Sequence, residues 1–326
     1  MRRSQANPAR LAIAFARAAV AASLASCTLL ASRDGLEGPP LAAGEDGGDA
    51  SAPGDARGED ALVDARGDDG GDASRAGAVT LFTGQQGAVG IATSGTSVYW
   101  VAGQPRGLLR APRGGGAITH LDDVNQPVGD AFDLAVDTAY VYWSTRGDGR
   151  VQRRPLGGGA NEPCFTAGAH AAYIAIGAAG VYVTDFQNDV SEAGVGVGSV
   201  VLGTCGGAAS IVFADQPRAT GLATLAQLLY WGRNQPDAIA FGPTSGGTAS
   251  TFHNVTGAVG GVAVDVGAIY WIREARRVMR FDFATRQEQE LYDAGAPFGD
   301  GDVAVDDEAV YWTESANGVV RRIQKP

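Results

Sequence analysis

Histidine, cysteine and lysine are scarce in this 326-residue sequence, and each scarcity closes off a class of function. The three histidines, His120, His170 and His253, stand far apart. No two have the i,i+2 or i,i+4 spacing that brings a pair of imidazoles onto one metal. There is no nucleophile elbow and no cysteine beside a histidine, so the familiar nucleophile–base arrangements are missing. Lysine occurs once, as Lys325, and the formal charge is −11, which leaves no basic face for nucleic acid or an anionic membrane surface. No uninterrupted apolar run reaches the roughly 20 residues that a membrane-crossing helix needs.

What the N-terminus does carry is a positive start, Arg2, Arg3 and Arg10, followed by an Ala/Leu/Ile-rich stretch broken by Arg17. That layout predicts a secretory signal. It closes on Leu24-Ala25-Ser26-Cys27, which resembles the bacterial lipobox. The resemblance implies cleavage before Cys27 and a diacylglycerol on its thiol. The expectation is a signal peptide over residues 1–26, an exported chain, and an anchor in the cell envelope, at the outer membrane or cell surface rather than the inner membrane. Residues 27–75 obey another rule. The stretch from Gly44 to Ser74 holds ten carboxylates against Arg57 and Arg66 and almost nothing apolar. Such a composition buries too little surface to offset its chain entropy, so it reads as a solvated, self-repelling tether. Cys164 and Cys205, an even pair in an oxidising compartment, are candidates for a disulfide.

Residues 76–326 repeat. Tyr99-Trp100, Tyr142-Trp143, Tyr182-Val183, Tyr230-Trp231, Tyr270-Trp271 and Tyr311-Trp312 recur at spacings of 43, 40, 48, 40 and 41 residues, each after an aliphatic residue. Within each copy a short apolar strand precedes the aromatic one, as in Leu134-Ala135-Val136 and Val303-Ala304-Val305. A third strand carries arginines in several copies, and a fourth follows a glycine-rich turn. Short β-branched and aromatic runs broken by glycine pairs are hairpin chemistry. Four strands at a period near forty make the blade of a β-propeller. Because a blade is covered on both faces, the recurring rings are expected to pack between blades. The last copy stops after its third strand, and an unpaired run, Ala78 to Phe82, precedes the first copy. The reading is therefore all-β: a six-bladed propeller of four-stranded blades, with the N-terminal strand completing the last blade and removing two open edges.

The motif resembles the YWTD-repeat propellers of the low-density lipoprotein receptor type. Tyr311-Trp312-Thr313-Glu314 and Tyr142-Trp143-Ser144-Thr145 come close to it, while Tyr182-Val183-Thr184-Asp185 keeps Thr-Asp and loses the tryptophan. The other three copies keep only Tyr-Trp. The resemblance implies the six-bladed fold; ligand chemistry does not carry over, because it lies in freely varying loops.

Loops between second and third strands, with those linking blades, gather on one face of such a propeller. Binding tends to reside in long irregular loops on rigid scaffolds, and the third blade has the longest, residues 184–199. The candidate binding face is Arg146, Asp148, Asp185, Asn188, Asp189, Glu192, Arg233, Asn234, Arg273 and Glu314. Asp137, Asp265 and Asp306 each stand five residues before a tyrosine and are read as turn residues on the opposite face. The functional expectation is a non-catalytic binding or scaffold module for an envelope protein or glycan. It would be a monomeric propeller that needs no cofactor and touches the membrane only through its lipid. The alternative is a lactonase-like hydrolase or lyase using a metal held by carboxylates in the central channel.

Overall fold

A computed structural model describes residues 77–104, 106–122, 129–186 and 198–326. The predicted signal, Cys27, the tether and loop residues Asn188, Asp189 and Glu192 lie outside these. The alternating apolar runs form 24 strands, and among the described residues there is no helix. They assemble into six antiparallel four-stranded sheets. Blade 1 comprises β2 (Ile91–Ser94), β3 (Ser97–Gly103), β4 (Arg106–Pro112) and β5 (Thr119–His120). Blade 2 comprises β6 (Ala131–Val136), β7 (Tyr140–Thr145), β8 (Arg150–Pro155) and β9 (Glu162–Thr166). Blade 3 has β10 (Ala171–Gly177), β11 (Gly180–Asp185), β12 (Ser199–Gly203) and β13 (Ser210–Phe213). Blade 4 has β14 (Ala219–Leu225), β15 (Leu228–Arg233), β16 (Ala238–Pro243) and β17 (Ser250–Asn254). Blade 5 runs through β18 (Val259–Val264), β19 (Ala268–Arg273), β20 (Arg277–Asp282) and β21 (Glu288–Asp293).

Blade 6 is built from both ends of the propeller. β22 (Val303–Val305), β23 (Ala309–Glu314) and β24 (Val319–Gln324) are completed by β1 (Val79–Phe82). The register pairs Val79 with Arg322, Thr80 with Arg321 and Phe82 with Val320. The first strands of successive blades touch in one closed circuit, from β2 through β6, β10, β14, β18 and β22 back to β2. The six-bladed propeller expected from the repeat is therefore present, closed by its N-terminal strand.

The recurring Tyr-Trp pair has two jobs. Alternate side chains on a strand face opposite ways, and all five tryptophans are fully buried against a neighbouring blade. Phe82 of β1 stacks on Trp100 with centroids 4.9 Å apart, Phe213 of β13 lies 4.8 Å from Trp231, and Tyr292 of β21 lies 4.9 Å from Trp312. Each of these contacts joins the outer strand of one blade to the second strand of the next, so burial of the rings holds the wheel together. The tyrosines face across to the third strand instead, where Tyr99, Tyr142, Tyr270 and Tyr311 stand opposite Arg110, Arg153, Arg280 and Arg322. At the turn below, Asp137 accepts the amides of Ala139 and Tyr140 at 2.7 Å and the Tyr142 hydroxyl at 3.1 Å. Asp265 does the same for Gly267, Ala268 and Tyr270. The aspartate five residues before the tyrosine is thus a turn cap that also holds the phenol.

Candidate functional site

At the axis, one residue of each blade occupies the same place, directly before an aliphatic-Ala-x triplet on the first strand. In blade order these are Gly90, Asp133, Tyr173, Gly221, Gly261 and Asp302. The approach is tight. A Cβ on Gly90 would lie 2.5 Å from the Cα of Asp133, and one on Gly261 would lie 2.7 Å from the Cα of Asp302. Glycine at these two positions is what lets the neighbouring backbone come so close.

The side chains that are present fill one half of this hub. Asp133 accepts the amides of Leu134 and Ile174, both at 2.8 Å, and so ties blade 2 to blade 3. Asp302 accepts the Ile91 amide at 3.4 Å and ties blade 6 to blade 1. The two carboxyls are hydrogen-bonded to each other across the space left by Gly90. Two buried carboxyl groups in contact cannot both ionise cheaply. Burial first, and then the neighbouring acid, pushes Asp302 well up, while burial pushes Asp133 up to about 7. Tyr173 completes the group. Its phenol is also pushed up, by burial and by Asp302 and Asp133.

A relation eleven residues long supports these positions. The Asp133, Tyr173 and Asp302 amides donate to Ser144 (3.3 Å), Thr184 (3.0 Å) and Thr313 (3.0 Å), the third letter of each Tyr-Trp motif. The Ser144 and Thr313 hydroxyls in turn donate to the carbonyls of Ala172 and Val89 in the next blade. In the glycine-bearing blades the corresponding residues are Val101, Gly232 and Ile272. The three copies closest to the motif are therefore the three with a side chain at the hub.

On the face of the blade-linking loops, between blades 1 and 2, lies a cleft of about 410 Å³. Its apolar wall includes Val89, Val101, Ala102 and Phe132, and its charged groups are Arg106, Asp130, Arg146 and Asp300. The two arginines differ. Arg106 is committed, with Nε to the Gly129 carbonyl at 3.0 Å and Nη2 to Asp130 at 2.5 Å. Arg146 lies flat on Phe132, its guanidinium carbon 3.4 Å from the ring centroid, and approaches Asp300 only to 3.8 Å. Phe132 in turn meets the edge of Tyr173 at 5.3 Å, so the wall of the cleft rests on the hub.

Of the described residues expected on the binding face, only Arg146 lines this cleft. Asp148 closes its own turn, accepting from the Thr145 hydroxyl and the Arg150 amide, and the Thr145 contact chiefly holds its carboxyl low. Asp185 caps the blade-linking turn at the His170 amide (3.2 Å), and burial raises its carboxyl. Arg233 donates to Thr251 at 2.8 Å. Asn234 latches both backbone groups of Val259, at 2.8 and 3.0 Å. Arg273 pairs with Glu288 and Glu290. Glu314 departs most from the open position expected of it. It is fully buried and takes Trp312 Nε1 at 3.0 Å, Asn317 at 2.6 Å and Arg321 at 2.8 Å. Cys164 on β9 and Cys205 in the β12–β13 turn form a disulfide joining blades 2 and 3. Among the described residues no three His, Cys, Asp or Glu side chains form a group suited to a metal ion.

The sequence matches no protein-family model and no curated protein. Solved structures do resemble it. One is the nidogen/laminin complex, at 16% identity over 65% of this chain and 82% of that one, with a TM-score of 0.55. Virginiamycin B lyase from Staphylococcus aureus matches at 12% identity over 76% of this chain and 98% of that one, with a TM-score of 0.55. A luciferin-regenerating enzyme matches at 14% identity over 76% and 95%, with a TM-score of 0.59. At these identities the likeness is one of fold, and this fold carries both binding proteins and enzymes.

Proposed function

We propose that this chain is an exported, lipid-anchored binding propeller of the YWTD-like kind, without catalysis, that holds an envelope protein or glycan on its loop face. The observation that carries the reading is the loop-face cleft between blades 1 and 2. It pairs an apolar wall with one stacked arginine whose donors, among the described residues, are not taken up by a close partner. Concave, mostly apolar sites with a few convergent polar groups are where ligands bind. The hub acids accept backbone amides of the neighbouring blades, which supports a role in holding blades together. Leu24-Ala25-Ser26-Cys27 and the acidic stretch after it supply the anchor and a tether long enough to hold the propeller off a membrane.

Two experiments test the reading. Wild type should take up a labelled fatty acid and sediment with membranes, and Cys27→Ala should do neither; a variant that still sediments overturns the anchor. The immobilised full-length chain, exposed to envelope extract, should retain a specific protein or glycan, and an empty column overturns the binding role. The competing metal-hydrolase reading predicts instead a melting midpoint that falls with EDTA and recovers with calcium or zinc.

A further inference from the structure

The chemistry of the cleft narrows what it holds. Its four charged groups fall into one closed pair and one open pair. Arg106 and Asp130 are in contact, and Arg106 spends further donors on the Gly129 carbonyl, so their charges cancel locally. Arg146 and Asp300 are 3.8 Å apart, beyond hydrogen-bond distance, with side chains 48% and 65% exposed. Stacking on Phe132 uses the flat face of the Arg146 guanidinium and leaves its in-plane N–H donors pointing out from the edge. Those donors match a planar carboxylate, which takes two of them at once. The stack fixes the fork in advance, which lowers the entropy lost when a ligand arrives. Beside it, Asp300 presents an acceptor and no donor.

A donor fork next to a bare carboxylate fits a ligand with two carboxylate oxygens and an N–H a few atoms away. A polypeptide ends in that arrangement: the terminal carboxylate, then the amide N–H of the last residue. Phosphate fits worse, since it offers more negative charge and no N–H to satisfy Asp300. The last side chain would lie on the wall formed by Val89, Val101, Ala102 and Phe132, which favours an apolar residue there. The cleft, at about 410 Å³, suits two or three residues of a chain end and not a folded surface.

We infer that this cleft captures the free C-terminus of a polypeptide partner ending in an apolar residue, with its carboxylate on Arg146 and its last amide N–H on Asp300. The inference rests on the binding role proposed above and adds the chemical group recognised. Among known recognition modes it belongs with capture of a chain-terminal carboxylate.

The test uses the full-length chain and fluorescent N-acetyl tetrapeptides ending in each of the twenty residues, with free or amidated C-termini. Anisotropy should detect binding of peptides with apolar ends, weakened at least tenfold by amidation and at least tenfold by Arg146→Gln. Arg146→Lys keeps the charge but loses the fork and the flat stack, and should bind more weakly than wild type. An unchanged melting midpoint in each variant shows that the propeller is intact. The inference is overturned if no free-carboxylate peptide binds, or if amidated peptides bind equally well. It is also overturned, while the binding role survives, if an envelope partner is retained equally by wild type and Arg146→Gln.

Discussion

Blades 2, 3 and 6 put Asp133, Tyr173 and Asp302 at the axis, whereas blades 1, 4 and 5 put Gly90, Gly221 and Gly261 there. The two halves close the same ring by different means. In the first half, side chains reach across and accept amides of the next blade, and a Ser or Thr eleven residues on holds both the hub amide and, in blades 2 and 6, a carbonyl of the next blade. In the second half the backbones approach until no Cβ fits. Thr220 of blade 4 supplies a substitute bridge to the Val259 carbonyl at 2.9 Å, in place of the missing motif hydroxyl. The comparison teaches that motif decay is local: a copy loses its third letter where its hub side chain is lost. The cleft spans the two kinds of blade: glycine-bearing blade 1 supplies Val89, Val101, Ala102 and Arg106, while Phe132 stands next to Asp133 in sequence and Asp300 two residues before Asp302.

If that account holds, the halves respond differently to substitution. Asp133→Ala should have the largest effect, since it strips two buried amides and the Asp302 proton of their acceptor. Calorimetry is expected to show a loss of about 3–5 kcal/mol. A loss under about 1 kcal/mol, the range of an ordinary surface change, would make the acid bridge dispensable. Next comes Thr313→Val, which orphans the Asp302 amide and the Val89 carbonyl at one stroke; chemical denaturation should register a loss of about 1–3 kcal/mol.

Proton linkage gives a third contrast. Both hub acids are raised in the folded state, so folding retains protons that the unfolded chain gives up near the ordinary carboxylate value of about 4. Stability is therefore fully present on the acid side and falls as pH rises from there through about 7, by roughly 1.4 kcal/mol per pH unit for each proton retained. Asp293, held well below its usual range by Arg276, and Asp148 and Asp282, also lowered, act in the opposite direction and only at more acidic pH. Asp302→Asn keeps an N–H to donate but removes a titrating proton, so melting curves between pH 5 and 8 should flatten. An unchanged slope would place the linkage elsewhere. The smallest effect on stability belongs to Arg146→Gln, a half-exposed change expected within about 0.5 kcal/mol by the same melts.

Much of this architecture was legible in the sequence. Five Tyr-Trp copies, a sixth that reads Tyr182-Val183, and the early strand Ala78 to Phe82 are enough to predict the blades and their closure, because aromatic packing between blades keeps the spacing near forty. The turn aspartates were legible too, from their constant offset to a tyrosine. The hub was not, although Asp133 and Asp302 stand directly before Leu-Ala-Val and Val-Ala-Val. The rule that reveals them is a distance of eleven to a Ser or Thr, and three of six copies lack it. The cleft was least legible. Arg106 opens β4, while Asp130, Arg146 and Asp300 come from three separate loops, and no local pattern distinguishes the open ion pair from the closed one. Glu314 shows the same limit from the other side, since a loop-end glutamate and a buried partner for Trp312, Asn317 and Arg321 look alike as letters.

The central claim is that the loop-face cleft between blades 1 and 2 is where this propeller binds. Quantitative capture from envelope extract on matched columns of wild-type and Arg146→Glu full-length chain tests it most directly. The account predicts a specific partner on the wild-type column, depleted at least tenfold on the variant, with melting midpoints unchanged. The same partner retained equally on both columns would contradict it.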